Sequence, residues 1–293
     1  MCVPQTSYVP ALMKPGARVV IKQYGERRTG TNYLKSLLEE NFHHVLVLMH
    51  VLGDKHSAPV ELSRDFPASN ANAYERVRIL TAKSHATGFW RSNASQRAYM
   101  RSIASEAIDA VQNGELRYLI SIKDPYAWGA SVAAYDHYLP RGLPRAKPIP
   151  DIIPQAGVAL FRRVNDAWAC FRLRQACLRF NERYRAWFGL CERFEDRCHV
   201  VRHEDLLNDP RAVLYEVAKR FQIRGQSPQF HDCPYGIRWT AWDDTRPTLD
   251  TSIFDAGYYR ELRYMDSLTP GMHEIISTTI DWELVRPLGY AAR

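Results

Sequence analysis

Short apolar runs alternate with longer amphipathic ones along the chain. Residues 18–23 (RVVIKQ) predict a strand, because a short β-branched run suits a buried one. Residues 31–42 (TNYLKSLLEENF) place Leu34, Leu37, Leu38 and Phe42 on one face of a helix. Residues 45–51 (VLVLMHV) and 78–82 (RILTA) predict two further strands. Residues 95–112 predict a helix with the stripe Ile103, Ala107, Ile108 and Val111, and Asn113-Gly114 is its stop signal. A fourth strand follows at 117–122 (RYLISI), and a proline-rich stretch at 140–154 reads as a loop. A long helix is predicted over about 157–190, with Phe161, Val164, Trp168, Phe171 and Leu178 at helical spacing. Arg162, Arg163, Arg172, Arg174 and Arg179 cluster around that stripe. Residues 198–202 (CHVVR) predict a fifth strand. Asn208-Asp209-Pro210 then reads as a cap with proline in the first turn of a helix carrying Leu214, Val217 and Phe221.

Strands separated mostly by helices imply an α/β fold, a central parallel sheet flanked by helices on both faces. There is no internal repeat, and residues 1–293 read as a single domain. In such sheets ligands bind beyond the carboxyl ends of the strands. The chemistry is therefore expected just after residues 23, 82, 122 and 202.

Composition narrows the classes. Hydrophobic residues at 46% and charged residues at 24% are globular values and exclude a disordered or collagen-like chain. The formal charge of +7 suits ligands that carry phosphate or sulfate, without by itself implying nucleic acid. No apolar run is long enough for a membrane span. The first residues (MCVPQTSYVPALMKPG) hold prolines and no apolar core of a signal peptide, so a cytoplasmic location is expected. The six cysteines, Cys2, Cys170, Cys177, Cys191, Cys198 and Cys233, form no CxxC pair. Buried free thiols are expected of them rather than zinc ligands or disulfides.

The first strand runs into Tyr24-Gly25-Glu26-Arg27-Arg28-Thr29-Gly30-Thr31-Asn32. Gly25 and Gly30 have the four-residue gap of a Walker A loop, but Thr31 and Asn32 stand where that motif needs Lys and Ser/Thr. Strand, loop and helix start make a backbone cradle for an anion. The parts that hold a magnesium triphosphate are missing. No metal is expected.

Arg28-Thr29-Gly30-Thr31-Asn32-Tyr33 resembles the donor loop of sulfotransferases that use 3′-phosphoadenosine 5′-phosphosulfate (PAPS). Their loop commonly reads Lys/Arg-Ser-Gly-Thr-Thr. The resemblance implies that Arg27, Arg28, Thr29, Gly30, Thr31 and Asn32 cradle the 5′-phosphosulfate. Arg28 falls where many members place a catalytic Lys, and Tyr33 where they place a Trp that stacks on adenine. Lys123 and Ser131, eight residues on, resemble the Arg and Ser of the family's 3′-phosphate site, with Lys in place of Arg. Asp124 after an apolar strand also permits a Walker B reading. Lys83-Ser84-His85 resembles the family's Lys-Thr-His at a strand end. By that likeness His85 is the general base and Lys83 neutralises charge on the transferring group. Arg202-His203-Glu204-Asp205-Leu206-Leu207 followed by Asp209-Pro210 resembles the family's Arg-Tyr-Glu-Asp-Leu-Leu, with His203 lining the nucleotide pocket. Residues 254–264 (FDAGYYRELRY) resemble the tail of bacterial members more weakly, and 237–246 (IRWTAWDDTR) is a candidate to close over the nucleotide.

The resulting expectation is a P-loop-like fold and metal-independent sulfuryl transfer from PAPS to a hydroxyl or amine, with 3′-phosphoadenosine 5′-phosphate (PAP) as product. A small-molecule or carbohydrate acceptor is the expected partner, without nucleic acid or a membrane span. Two rivals come from other classes: a P-loop kinase or NTPase, and a non-enzymatic polyanion or nucleic-acid binder using the arginine-rich helix.

Overall fold

A computed structural model describes residues 18–49, 51–59, 103, 105–133, 155–224, 229–232, 235–238, 248–253 and 256–293. Four strands, β1 (Val19–Gly25), β2 (Val45–Leu48), β3 (Arg117–Ile122) and β4 (Cys198–Arg202), form one sheet in the order β2-β1-β3-β4. All three pairings are parallel, with Ile21 opposite Val47, Tyr24 opposite Ile120 and Ile120 opposite Val200. The strand expected at 78–82 and the loop expected at 140–154 lie outside the described residues.

Successive strand residues face opposite sides of a sheet, so each strand feeds two cores. Val20, Tyr24, Leu46, Leu48, Tyr118, Ile120 and Ile122 point to one core. There α2 (Pro125–Ala133) and α3 (Gln155–Arg193) cover them. Ile21, Val45, Val47, Leu119 and Val201 point to the other, under α1 (Thr31–Asn41) and α5 (Pro210–Phe221). Between β4 and α5 lies the short α4 (His203–Asn208), and Asp209 caps α5 by accepting from the Ala212 amide at 2.9 Å. A two-stranded antiparallel sheet, β5 (Tyr235–Arg238) with β6 (Thr248–Ile253), stands apart from the main sheet. The chain closes with α6 (Ala256–Arg260), α7 (Pro270–Thr279) and α8 (Trp282–Val285).

Three expectations shift. The second strand ends at Leu48 rather than residue 51, because Leu52 and Gly53 take left-handed φ values of 62° and 89°. The long helix has a different buried face. Phe171 and Leu178 are 52% and 48% exposed. Leu173, Cys177, Phe180, Tyr184 and Trp187 are buried instead, with the Phe180 ring 4.8 Å from that of Trp128. Finally, Cys191 and Cys198 form a disulfide, whereas Cys170 and Cys177 are free. A single 3₁₀ turn, Glu195–Arg197, brings the two Cα atoms to 5.0 Å, inside the reach of a disulfide. Cys2 and Cys233 lie outside the described residues. No described helix is long and apolar enough to cross a membrane.

Gly25 ends β1 where the backbones crowd. A Cβ there would lie 2.8 Å from the Ser121 carbonyl oxygen and 2.9 Å from Thr29 Oγ1. Gly25→Ala is expected to cost about 1–3 kcal/mol. Thermal unfolding should show it as a Tm lower by roughly 2–4 °C per kcal/mol.

Candidate functional site

The loop between β1 and α1 is held open by its own backbone. Arg28 and Gly30 both take left-handed φ, 70° and 77°, with buried Thr29 between them. Thr29 donates its hydroxyl to the Glu26 carbonyl at 2.7 Å, which closes the turn. Gly30 is the N-cap of α1 and offers no side-chain cap, so the first amides of the helix face out of the loop end. Those amides and the helix dipole favour an anion. A non-glycine residue in the left-handed region is strained, and Arg28 accepts that strain at the centre of the loop.

Three neighbours pin this loop. From α3, Arg183 pairs with the buried Glu26 carboxylate at 2.6 Å, and Tyr184 donates to the Ser121 carbonyl at 2.7 Å. The Glu26 amide donates to the Tyr184 hydroxyl at 3.5 Å. From the segment after β2, the Lys55 carbonyl accepts from the Gly25 amide at 3.0 Å. His56 Nδ1 lies 2.6 Å from the Gly25 carbonyl oxygen, and the Lys55 amine bonds Asn32 Oδ1. From the start of α4, the His203 ring packs so tightly on Gly30 that a Cβ there would sit 2.5 Å from its Nδ1.

The end of β3 makes a second cationic point. Lys123 is 2% exposed and donates to Ser131 Oγ at 2.8 Å and to the Tyr259 hydroxyl at 3.0 Å. Asp124 caps α2 by accepting from the Tyr126 and Ala127 amides, and that helix carries Ser131 back towards the strand end two turns later. Burial lowers the Lys123 pKa to about 7, against the opposing pull of Glu204 and Asp124. The Arg28 charge lowers it further, which sets the loop and this lysine within electrostatic reach of each other. His203 is 2% exposed and lies edge-on to Tyr259, with centroids 5.2 Å apart. Burial, and then the Lys123 charge, hold its pKa well below the usual histidine range, so it is neutral. Glu204 takes the Asp124 amide at 2.9 Å and the Tyr290 hydroxyl at 2.6 Å, and burial raises its pKa.

Of the residues singled out in the sequence, Arg28, Thr29, Gly30, Thr31, Asn32, Lys123, Ser131 and His203 all gather at this edge. Arg27 is exposed beside them. Tyr33 instead belongs to the core under α1, 6% exposed, with its hydroxyl on Asp232 at 2.8 Å. Lys83 and His85, like Trp239, Trp242 and Arg246, lie outside the described residues. Sequence reasoning missed Lys55, His56, Arg183 and Glu26. Only Lys55-His56 left a signal, a basic pair directly after the Gly53-Asp54 turn at a strand end. Tyr259 lay inside a segment already noted. A cavity of about 560 Å³ lined by Cys191, Cys198, His199 and Arg220 sits at the amino end of β4, away from this chemistry. Among the described residues, no group of three or more His, Cys, Asp or Glu side chains could hold a metal ion.

No protein-family model matches this chain, and no curated protein matches it. Among solved structures it is similar to the sulfotransferase domain from the Synechococcus PCC 7002 olefin synthase, at 15% identity and a TM-score of 0.39. That alignment covers 92% of this chain and 96% of the other. It is also similar to the sulfotransferase domain from the curacin biosynthetic pathway, at 12% identity and a TM-score of 0.44, covering 96% of this chain and 100% of the other.

Gly30 and His203 form one packing unit. Gly30→Ala is expected to destabilise by about 1–3 kcal/mol, through the left-handed φ and the overlap with the ring. Adding His203→Ala should return part of that loss, leaving the backbone strain. A double-mutant cycle by thermal unfolding reads the coupling.

Proposed function

We propose that this chain transfers a sulfuryl group from PAPS to a hydroxyl or amine acceptor. The observation that carries the reading is the pair of adjacent anion cradles. One is the loop of Arg28 to Asn32; the other is buried Lys123 with Ser131. A nucleotide with anionic groups at both its 5′ and 3′ positions matches two cradles, whereas ATP has only one anionic end. In this reading the loop amides and Arg28 hold the 5′-phosphosulfate, and Lys123 and Ser131 hold the 3′-phosphate. His203, neutral and packed on Gly30, shapes the pocket between them.

The acceptor oxygen forms its bond to sulfur as the bond from sulfur to the 5′-phosphate oxygen breaks. The electron pair leaves with that phosphate, and the acceptor proton passes to His85. Arg28 and Lys83 stabilise charge on the sulfuryl oxygens and the departing phosphate. Catalysis by positioning and fixed charge needs no metal.

The kinase rival asks for a lysine at Thr31 and a magnesium ligand at Asn32, yet Asn32 already accepts from the Lys55 ammonium. On α3, Arg183 is paired with Glu26 at 2.6 Å and Arg185 with Asp281 at 2.8 Å, which leaves two fewer cations of that helix for the polyanion rival.

Thermal-shift titration with PAP should raise the Tm independently of magnesium, while ATP should shift it little. A ligand at about 100 times its dissociation constant stabilises by roughly 2.7 kcal/mol. Shifts by ATP with magnesium alone would sink the reading. The PAP affinity should also depend on pH. Lys123 holds a phosphate only when protonated, and its pKa is about 7. Affinity should therefore be full below pH 7 and fall by up to about tenfold per unit above it. Lys123→Arg stays charged and should flatten that slope across pH 7–9.

A further inference from the structure

The phosphate loop has no lysine of its own, and the structure places one beside it from the neighbouring strand. Beyond β2 the chain turns through Leu52 and Gly53 and comes back along the end of β1. Lys22, fully buried in β1, fixes that turn by donating to the carbonyls of Met49 at 3.1 Å and Gly53 at 2.7 Å. Asp54 accepts from the His56 amide at 2.8 Å. Gly25 is then gripped from both sides: its amide donates to the Lys55 carbonyl, and its carbonyl meets His56 Nδ1. A carbonyl only accepts, so His56 carries its proton on Nδ1. Burial holds its pKa well below the usual histidine range, so it is a neutral anchor.

This scaffold leaves Lys55 little freedom. The residue is 5% exposed, and its ammonium sits on Asn32, the second residue of α1. A cation held out of water on the first turn of a helix gains from a dianion more than a solvated one does. We propose that Lys55 is the lysine of the phosphate loop, binding the 5′-phosphate end of the donor beside Arg28, with His56 and Lys22 as the residues that position it. This proposal rests on the PAPS reading above and assigns its 5′ cradle a further residue.

The test is calorimetric titration of the full chain with adenosine 5′-phosphate, adenosine 3′-phosphate and PAP. Lys55→Gln keeps a donor for Asn32 and removes the charge. It should weaken adenosine 5′-phosphate and PAP by about 10- to 100-fold and leave adenosine 3′-phosphate within about twofold. Lys123→Met should do the reverse on the two mononucleotides. Lys55→Arg should recover part of the 5′ affinity, and it stands in if the glutamine variant does not fold, with a 5′ affinity raised or lowered selectively. Loss of all three ligands together, or of none, would overturn the proposal, the first because it marks Lys55 as a structural pin. If the unaltered chain binds none of these nucleotides, the PAPS reading fails by itself. Inorganic pyrophosphate then tests the lysine: weaker binding by Lys55→Gln supports it, and equal binding overturns it.

Discussion

Three lysine amines are taken out of water at the carboxyl edge of this sheet, and the edge is organised around them. Lys22, Lys55 and Lys123 are 0%, 5% and 2% exposed. Burying a charge is expensive unless it is bonded, and neutral oxygens are among the partners of these amines. They are the carbonyls of Met49 and Gly53, the Asn32 amide oxygen, and the hydroxyls of Ser131 and Tyr259. Dipoles offset only part of the lost hydration, so burial brings the pKa of both Lys22 and Lys123 down to about 7. The same constraint explains the neutral histidines on either flank, His56 and His203, since neither can carry a second charge there.

The rest of the chain braces that edge. The C-terminal segment reaches back across it: Tyr259 lies over Lys123, Tyr290 bonds Glu204, and Arg293 pairs with Asp124 at 3.0 Å. The long α3 braces it too, through Arg183 and Tyr184. Strand ends that are adjacent in the sheet but distant in sequence are thereby fixed to one another. The geometry of the two cradles then depends on packing as much as on the loop.

Much of this was legible beforehand. The strands at 117–122 and 198–202 appear with the same limits as in the sequence, because each is a compact apolar run bounded by polar residues. Gly114 and Asp209 act as the stop and cap signals that their types imply. What stayed hidden depends on tertiary choice. Apolar residues surround α3 on several sides, so periodicity did not say which stripe faces the sheet. A spacing of seven between Cys191 and Cys198 says nothing of a disulfide until a 3₁₀ turn shortens it. A basic pair in a loop usually faces solvent, and only the returning chain makes Lys55 a buried neighbour of Asn32. Tyr33 was read from its place in a motif, but its hydroxyl found Asp232 and its ring the core.

The most direct measurement is a crystal structure of the chain with PAP bound. The account predicts the 5′-phosphate on the amides of Gly30 to Asn32, and the 3′-phosphate within hydrogen-bond reach of Lys123 Nζ and Ser131 Oγ. A nucleotide bound in the opposite sense, or away from the carboxyl ends of β1 and β3, would contradict it.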